Sequence, residues 1–278
     1  MTLRSLAERH PLGTFTVLAY AVSWSFWLAW AAVEGPPLLR TVLFVLGGLG
    51  PFAAGAVTTW LHGERLGPWL RDIFDVRVRP RYYLIAVTLP LVALGVAGLV
   101  HWGLLGGTPT PELLPAIASY PVFLGFVLLF GGGLEEPGWR GALLPRLQER
   151  HDSLTAALLV GVVWAAWHAP LFVLPGAAQN DIAPWLYPVQ VVAMSVVLTW
   201  LTNASRGSVV PAILLHAGGN SIVNYYPIGG SAGALTVTGY GLLASVVVVA
   251  AVVVTFRSGR SLGSPPVTPA VAADGGVR

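Results

Sequence analysis

Cysteine and lysine are both missing from this chain of 278 residues, and charge of either sign is scarce. Without cysteine there are no disulfides, no thiol nucleophile and no thiolate metal site. All fifteen basic residues are arginine, in a chain rich in Ala, Gly and Val, which reads as the usage of a GC-rich bacterial genome. Charged residues make up 10% of the chain, against about 25% in an ordinary soluble domain. So few charges cannot coat a water-facing surface of this size. The net charge of +3 rests on dispersed arginines with no dense basic stripe, which argues against a nucleic-acid partner.

What is present is apolar sequence: 55% hydrophobic residues and a mean hydropathy of +0.72. Runs of about 18 or more apolar residues predict membrane-spanning helices. They fall at 14–33, 41–61, 82–105, 119–147, 153–174, 185–203, 208–226 and 237–256. The expected fold is an all-α, polytopic membrane bundle of about eight helices, over residues 1–257. Residues 258–278, rich in Gly, Pro and Ser, are expected to form a disordered tail. Ala29–Trp30–Ala31 has the small-x-small look of a cleavage site, but the length of the first run and the spans behind it favour a retained helix. With both termini on the cytoplasmic side, fourteen arginines fall inside and Arg40 alone falls outside. That asymmetry predicts a multi-pass protein of the cytoplasmic membrane, in contact with lipid.

Ionisable groups at bilayer depth are expensive and are candidates for function. His10, His62, His101 and His151 lie near helix ends and read as interfacial. His168, late in the fifth run, and His216, midway along the seventh, do not. The fourth run is interrupted by GGGLEEPGWRGALLPRL, residues 131–147. Glu136 and Arg140 are four apart, so they share a helix face and form an ion pair that supports the segment. Glu135 is then rotated about 100° away and points elsewhere. His216 and Asn220 are also four apart on one face, with Gly218 and Gly219 between them allowing another backbone close. Trp164 and Trp167 read as core or lipid-facing packing. Three glycines, Pro137 and Pro145 predict a kinked or broken helix near the glutamates, and such backbone at depth must line a cavity or be buried in protein.

Depth brings these groups together. If the fourth helix continues to Leu147, a rise of ~1.5 Å per residue puts Glu135 roughly 18 Å above the following turn. His168 then lies roughly 22 Å above that turn, and His216 roughly 12 Å deep. Glu135, His168, His216 and Asn220 can therefore meet near mid-membrane. Such a set offers an acid–base pair and hydrogen-bond donors in one place. Ser195 and Ser221 are intramembrane, but no nucleophile elbow surrounds them. Two histidines and a carboxylate (Glu135, His168, His216) could instead hold zinc. No H-E-x-x-H is present, and the favoured reading needs no cofactor.

Three short patterns in order carry a resemblance. EEPGWR (Glu135–Arg140) resembles the EExxxR motif of the CAAX protease and bacteriocin-processing family of intramembrane proteases. WAAWH (Trp164–His168) is similar to that family's FxxxH, with Trp for Phe, and HAGGN (His216–Asn220) to its HxxxN. The family core would cover about 119–226. The resemblance implies an eight-helix endopeptidase open to the cytoplasmic side, acting on a peptide or protein substrate. It implies that Glu135 and His168 activate water, that His216 and Asn220 stabilise the oxyanion, and that Glu136, Arg140 and Trp164 support the site. CAAX-like, bacteriocin and signal peptides are the substrate types left open. The rival readings are a proton-coupled transporter, against which no internal repeat is visible, and a catalytically inert membrane scaffold.

Overall fold

The computed structural model of the chain describes residues 3–229 and 235–264, and these are almost wholly helical. The first half comprises α1 (Leu3–Arg9), α2 (Pro11–Ala32), α3 (Pro37–Gly48), α4 (Gly50–Leu61), α5 (Leu66–Ile73), α6 (Pro80–Leu105) and α7 (Tyr120–Phe130). A broken helical path follows: a 3₁₀ turn (Gly133–Glu135), α8 (Glu136–Gly138), a π turn (Trp139–Leu143) and α9 (Leu144–Gln148). Then come α10 (Ser153–Trp167), α11 (Leu186–Ala204), α12 (Val210–Ile222) and α13 (Val237–Ser258).

The chain is an all-α polytopic membrane bundle. Each of the eight apolar runs contains helix, but the runs are not equal. Among the described residues five segments are long and apolar enough to cross a membrane, and α3 with α4, bent by 43°, add a sixth when the pair is counted as one span. The remaining two, α10 and α12, are only 15 and 13 residues long. Each continues into a 3₁₀ turn, Ala169–Phe172 and Val223–Tyr225 respectively, rather than into more α-helix. The arginine-rich connection after α4 is not a plain loop. It holds α5, whose Trp69 and Ile73 are buried. Of the expected tail, Gly259–Ser261 form a 3₁₀ turn and Leu262 is buried; residues 265–278 lie outside the described residues.

Proline placement explains the broken path. Pro137 and Pro145 stand in the first turns of α8 and α9, where a helix can do without an N–H. Pro145 brings no N–H to the carbonyl of Gly141, four residues back. That carbonyl instead accepts the indole N–H of Trp69 at 2.8 Å. A π turn of this kind is often found where function needs a side chain re-aimed. The predicted break in the helix is therefore present, as a 3₁₀ turn and a π turn, and the path resumes helical geometry through Gln148.

Helices in lipid gain little from the hydrophobic effect against one another, so close packing of small residues holds them. The expected close approach at Gly218 and Gly219 does not occur. A Cβ on Gly218 would meet only the Pro90 side chain at 3.4 Å, and one on Gly219 would meet nothing within 4 Å. The contact is made instead by α4 and α8. A Cβ on Gly138 would collide with the carbonyl of Pro51, and one on Gly55 would stand 3.0 Å from the Cα of Gly138. This backbone contact seats the glutamates against the core. Phe15, Trp27, Trp139 and Trp167 fill that core, all at most 2% exposed.

Candidate functional site

Glu135 ends the 3₁₀ turn that begins after Gly132. Gly132 has φ 118°, a conformation open only to glycine, and it turns the chain from α7 into the glutamates. A Cβ at this position would lie 2.8 Å from both the Nε2 of His216 and the Nδ2 of Asn220. The backbone here thus runs directly beneath the two α12 side chains. Asn220 confirms the proximity by donating its amide to the carbonyl of Gly131 at 3.3 Å.

The two adjacent carboxylates have different partners. Glu136 is fully buried and pairs with Arg140 at 3.1 Å, as the four-residue spacing predicts. It also receives the Nδ1 of His216 at 2.7 Å, a contact that no sequence spacing announces. Glu135, on the other side of the turn, accepts the indole N–H of Trp164 at 2.8 Å and, less closely, that of Trp139 at 3.4 Å. Both bonds fall on Oε2. Among the described residues no hydrogen bond falls on Oε1.

Trp164 is therefore more than packing. Its ring lies 4.6 Å under the Arg140 guanidinium and 5.0 Å from the His216 ring, edge to face. The cation–π contact matters because Arg140 is fully buried, and its Nε and Nη2 find no hydrogen-bond partner among the described residues. Trp167 is also buried, edge to face with His168 at 4.6 Å, and neither indole faces lipid.

His168 caps α10. Its Nδ1 lies 2.9 Å from the carbonyl of Trp164. A carbonyl only accepts, so Nδ1 carries the proton and, in the neutral ring, Nε2 holds a free lone pair. The same logic applies to His216. Glu136, paired with Arg140, accepts at Nδ1, so Nε2 of His216 can donate only when the ring is an imidazolium. No hydrogen bond joins Glu135 directly to His168; Trp164 is bonded to both.

Glu135, His168, His216 and Asn220 all line one cavity of about 350 Å³, together with Trp164 and Tyr187. Since a water occupies ~30 Å³ of liquid, this volume holds several waters or a short piece of chain. The four groups come from the broken path, the end of α10 and the second half of α12. The serines are accounted for otherwise: Ser195 and Ser221 are buried and donate to the helix carbonyls of Ala157 and Ala217. Of the histidines read as interfacial, His101 is in fact buried and bonds the Tyr226 hydroxyl at 3.1 Å.

The zinc alternative names Glu135, His168 and His216, which line the same cavity. Among the described residues no three His, Asp or Glu side chains gather closely enough to hold a metal ion.

Comparison with known proteins matches this same stretch. Residues 117–222 match the family model for Type II CAAX prenyl endopeptidase Rce1-like proteins. That segment carries Glu135, Glu136, Arg140, Trp164, His168, His216 and Asn220, so the likeness read from three short motifs holds across the site. A CAAX prenyl protease 2 from Methanococcus maripaludis is 32% identical over 97 residues, 33% of this chain. The aligned segment spans 36% of the length of that curated relative.

Proposed function

We propose that the chain is an intramembrane endopeptidase that hydrolyses a peptide bond with activated water. The observation that carries this reading is the convergence of Glu135, His168, His216 and Asn220 on one cavity. In this mechanism Oε1 of Glu135 and Nε2 of His168 face the attacking water. One of them takes its proton and passes it to the leaving amine. Asn220 donates its amide to the developing oxyanion, and His216 donates from Nε2 in its imidazolium form, with Glu136 as counter-ion. A donor of this kind is worth ~3–4 kcal/mol in the transition state. Arg140 neutralises Glu136 and keeps the pair in place.

The serine hydroxyls are engaged with helix carbonyls, which favours water over a seryl nucleophile. The arrangement calls on no metal. The substrate is a peptide or protein reaching the cavity from the bilayer or from the cytoplasmic side. The relative's name makes a peptide with a prenylated cysteine the first probe to try.

The test uses the purified full chain in lipid nanodiscs and a fluorogenic peptide bearing a farnesylated cysteine, beside a proteome-wide comparison of membranes with wild type and Glu135→Ala. Cleavage by wild type that Glu135→Ala abolishes is expected. If both proteins give identical peptide profiles in both assays, the protease reading fails.

A further inference from the structure

One residue touches four of the charged or titratable members of the site. Trp164 gives its indole N–H to Glu135, its ring face to Arg140 and its ring edge to His216, while its own carbonyl accepts from His168. The carbonyl is available for a structural reason. α10 ends at Trp167, and the backbone N–H of His168 bonds the carbonyls of Ala165 and Ala166 rather than that of Trp164. A carbonyl in the last turn of a helix needs a partner from outside the helix ladder, and the His168 imidazole supplies it.

We propose that Trp164 is a positioning residue that fixes Glu135 and His168 relative to each other through its two ends. The N–H holds Oε2 of Glu135 and so turns Oε1 toward the water. The carbonyl holds Nδ1 of His168 and so leaves Nε2 as the proton acceptor. The base pair that shares no direct hydrogen bond is thereby built on a single residue of a rigid helix. At 2.8 Å the indole bond is of good length, while the 3.4 Å bond from Trp139 is a weak substitute.

This inference rests on the hydrolytic reading above, and its test separates the two. Two replacements remove the N–H: Trp164→Phe, and benzothienylalanine introduced at 164, which keeps the size of the indole and puts sulfur where the N–H stands. The second guards against loss of packing under Arg140. The first readout is the infrared carboxyl band of Glu135, defined as the band that Glu135→Gln removes. It is expected to shift in both variants. The second readout is steady-state cleavage of the probe peptide. Because a small misplacement of a catalytic group costs up to about a hundredfold, kcat is expected to fall roughly ten- to a hundredfold with KM within about twofold. An unmoved band, or an unchanged kcat in a folded benzothienylalanine protein, overturns the proposal. A wild type that cleaves nothing overturns the hydrolytic reading, and the infrared band then decides on its own whether the indole holds the carboxylate.

Discussion

The imidazole of His216 gives its Nδ1 proton to Glu136 at 2.7 Å, and the same carboxylate holds Arg140 at 3.1 Å. One buried glutamate thus joins α12 to the broken path and sets which nitrogen of His216 faces the cavity. The motif's second glutamate is part of the site's chemistry through this contact, without itself facing substrate.

Removing one member of that triad should be costly. Arg140→Ala leaves the buried Glu136 carboxylate without its arginine and with only the His216 ring as partner, and breaking a buried ion pair typically destabilises by ~3–5 kcal/mol. Thermal unfolding of the full chain in detergent is expected to show a large drop in Tm, or failure to accumulate folded protein. Arg140→Lys keeps the charge but loses the planar contact with Trp164, and should fall between. A Tm for Arg140→Ala equal to wild type would contradict the ion pair.

Glu135→Gln should behave in the opposite way. The amide keeps the shape and an acceptor for the Trp164 N–H, so Tm should stay within about 2 °C of wild type or rise, since a buried charge is removed. Cleavage should be abolished. Retention of more than a tenth of wild-type turnover would take Glu135 out of the reaction.

At Gly132 even a methyl group is too much. Alanine would be forced to φ 118° and would press on His216 and Asn220 at 2.8 Å. Backbone strain alone is worth ~1–3 kcal/mol. Gly132→Ala is expected to lower Tm and to reduce kcat together, whereas Gly219→Ala, with nothing within 4 Å, should do neither.

Metal dependence is directly measurable. Because no three suitable side chains gather among the described residues, cleavage should survive prolonged treatment with 1,10-phenanthroline or EDTA. Elemental analysis of active protein should give far less than one zinc per chain. Stoichiometric zinc with chelator-sensitive activity would reverse this expectation.

A fifth prediction concerns the turn before α10. The Arg260 guanidinium, with the Thr155 N–H, holds the Asp152 carboxyl down from 3.8 to about 2. A depressed carboxylate stabilises the fold fully above its unfolded value, and the gain is lost as pH falls toward about 2. The pair is exposed, so the effect is no more than about 1 kcal/mol. The Tm difference between wild type and Asp152→Asn should be constant above pH 5 and vanish near pH 2. A difference that grows on acidification would refute the pairing.

Much of this was legible in the sequence because helical periodicity is a local rule. The pairing of Glu136 with Arg140 and the shared face of His216 and Asn220 follow from spacings of four. The kink follows from Gly131–Gly133 and the prolines. Contacts between distant helices were not legible, since they depend on how each helix is rotated within the bundle. His216 with Glu136, and Trp164 with Glu135, are separated by 80 and 29 residues. The glycine contact was misplaced for the same reason: composition marks Gly218 and Gly219, but only packing shows that Gly138 meets α4.

That glycine contact has a mechanical consequence. Where Gly55 meets Gly138, no side chain lies between the two backbones, so nothing compliant can absorb a displacement. α4 is the second limb of the bent pair, and a span adjusts its tilt to the thickness of the surrounding hydrocarbon. Any such tilt is handed undamped to the residues two and three positions before Gly138, which are Glu136 and Glu135. A change in bilayer thickness that tilted α4 would therefore reach the cavity through this one contact.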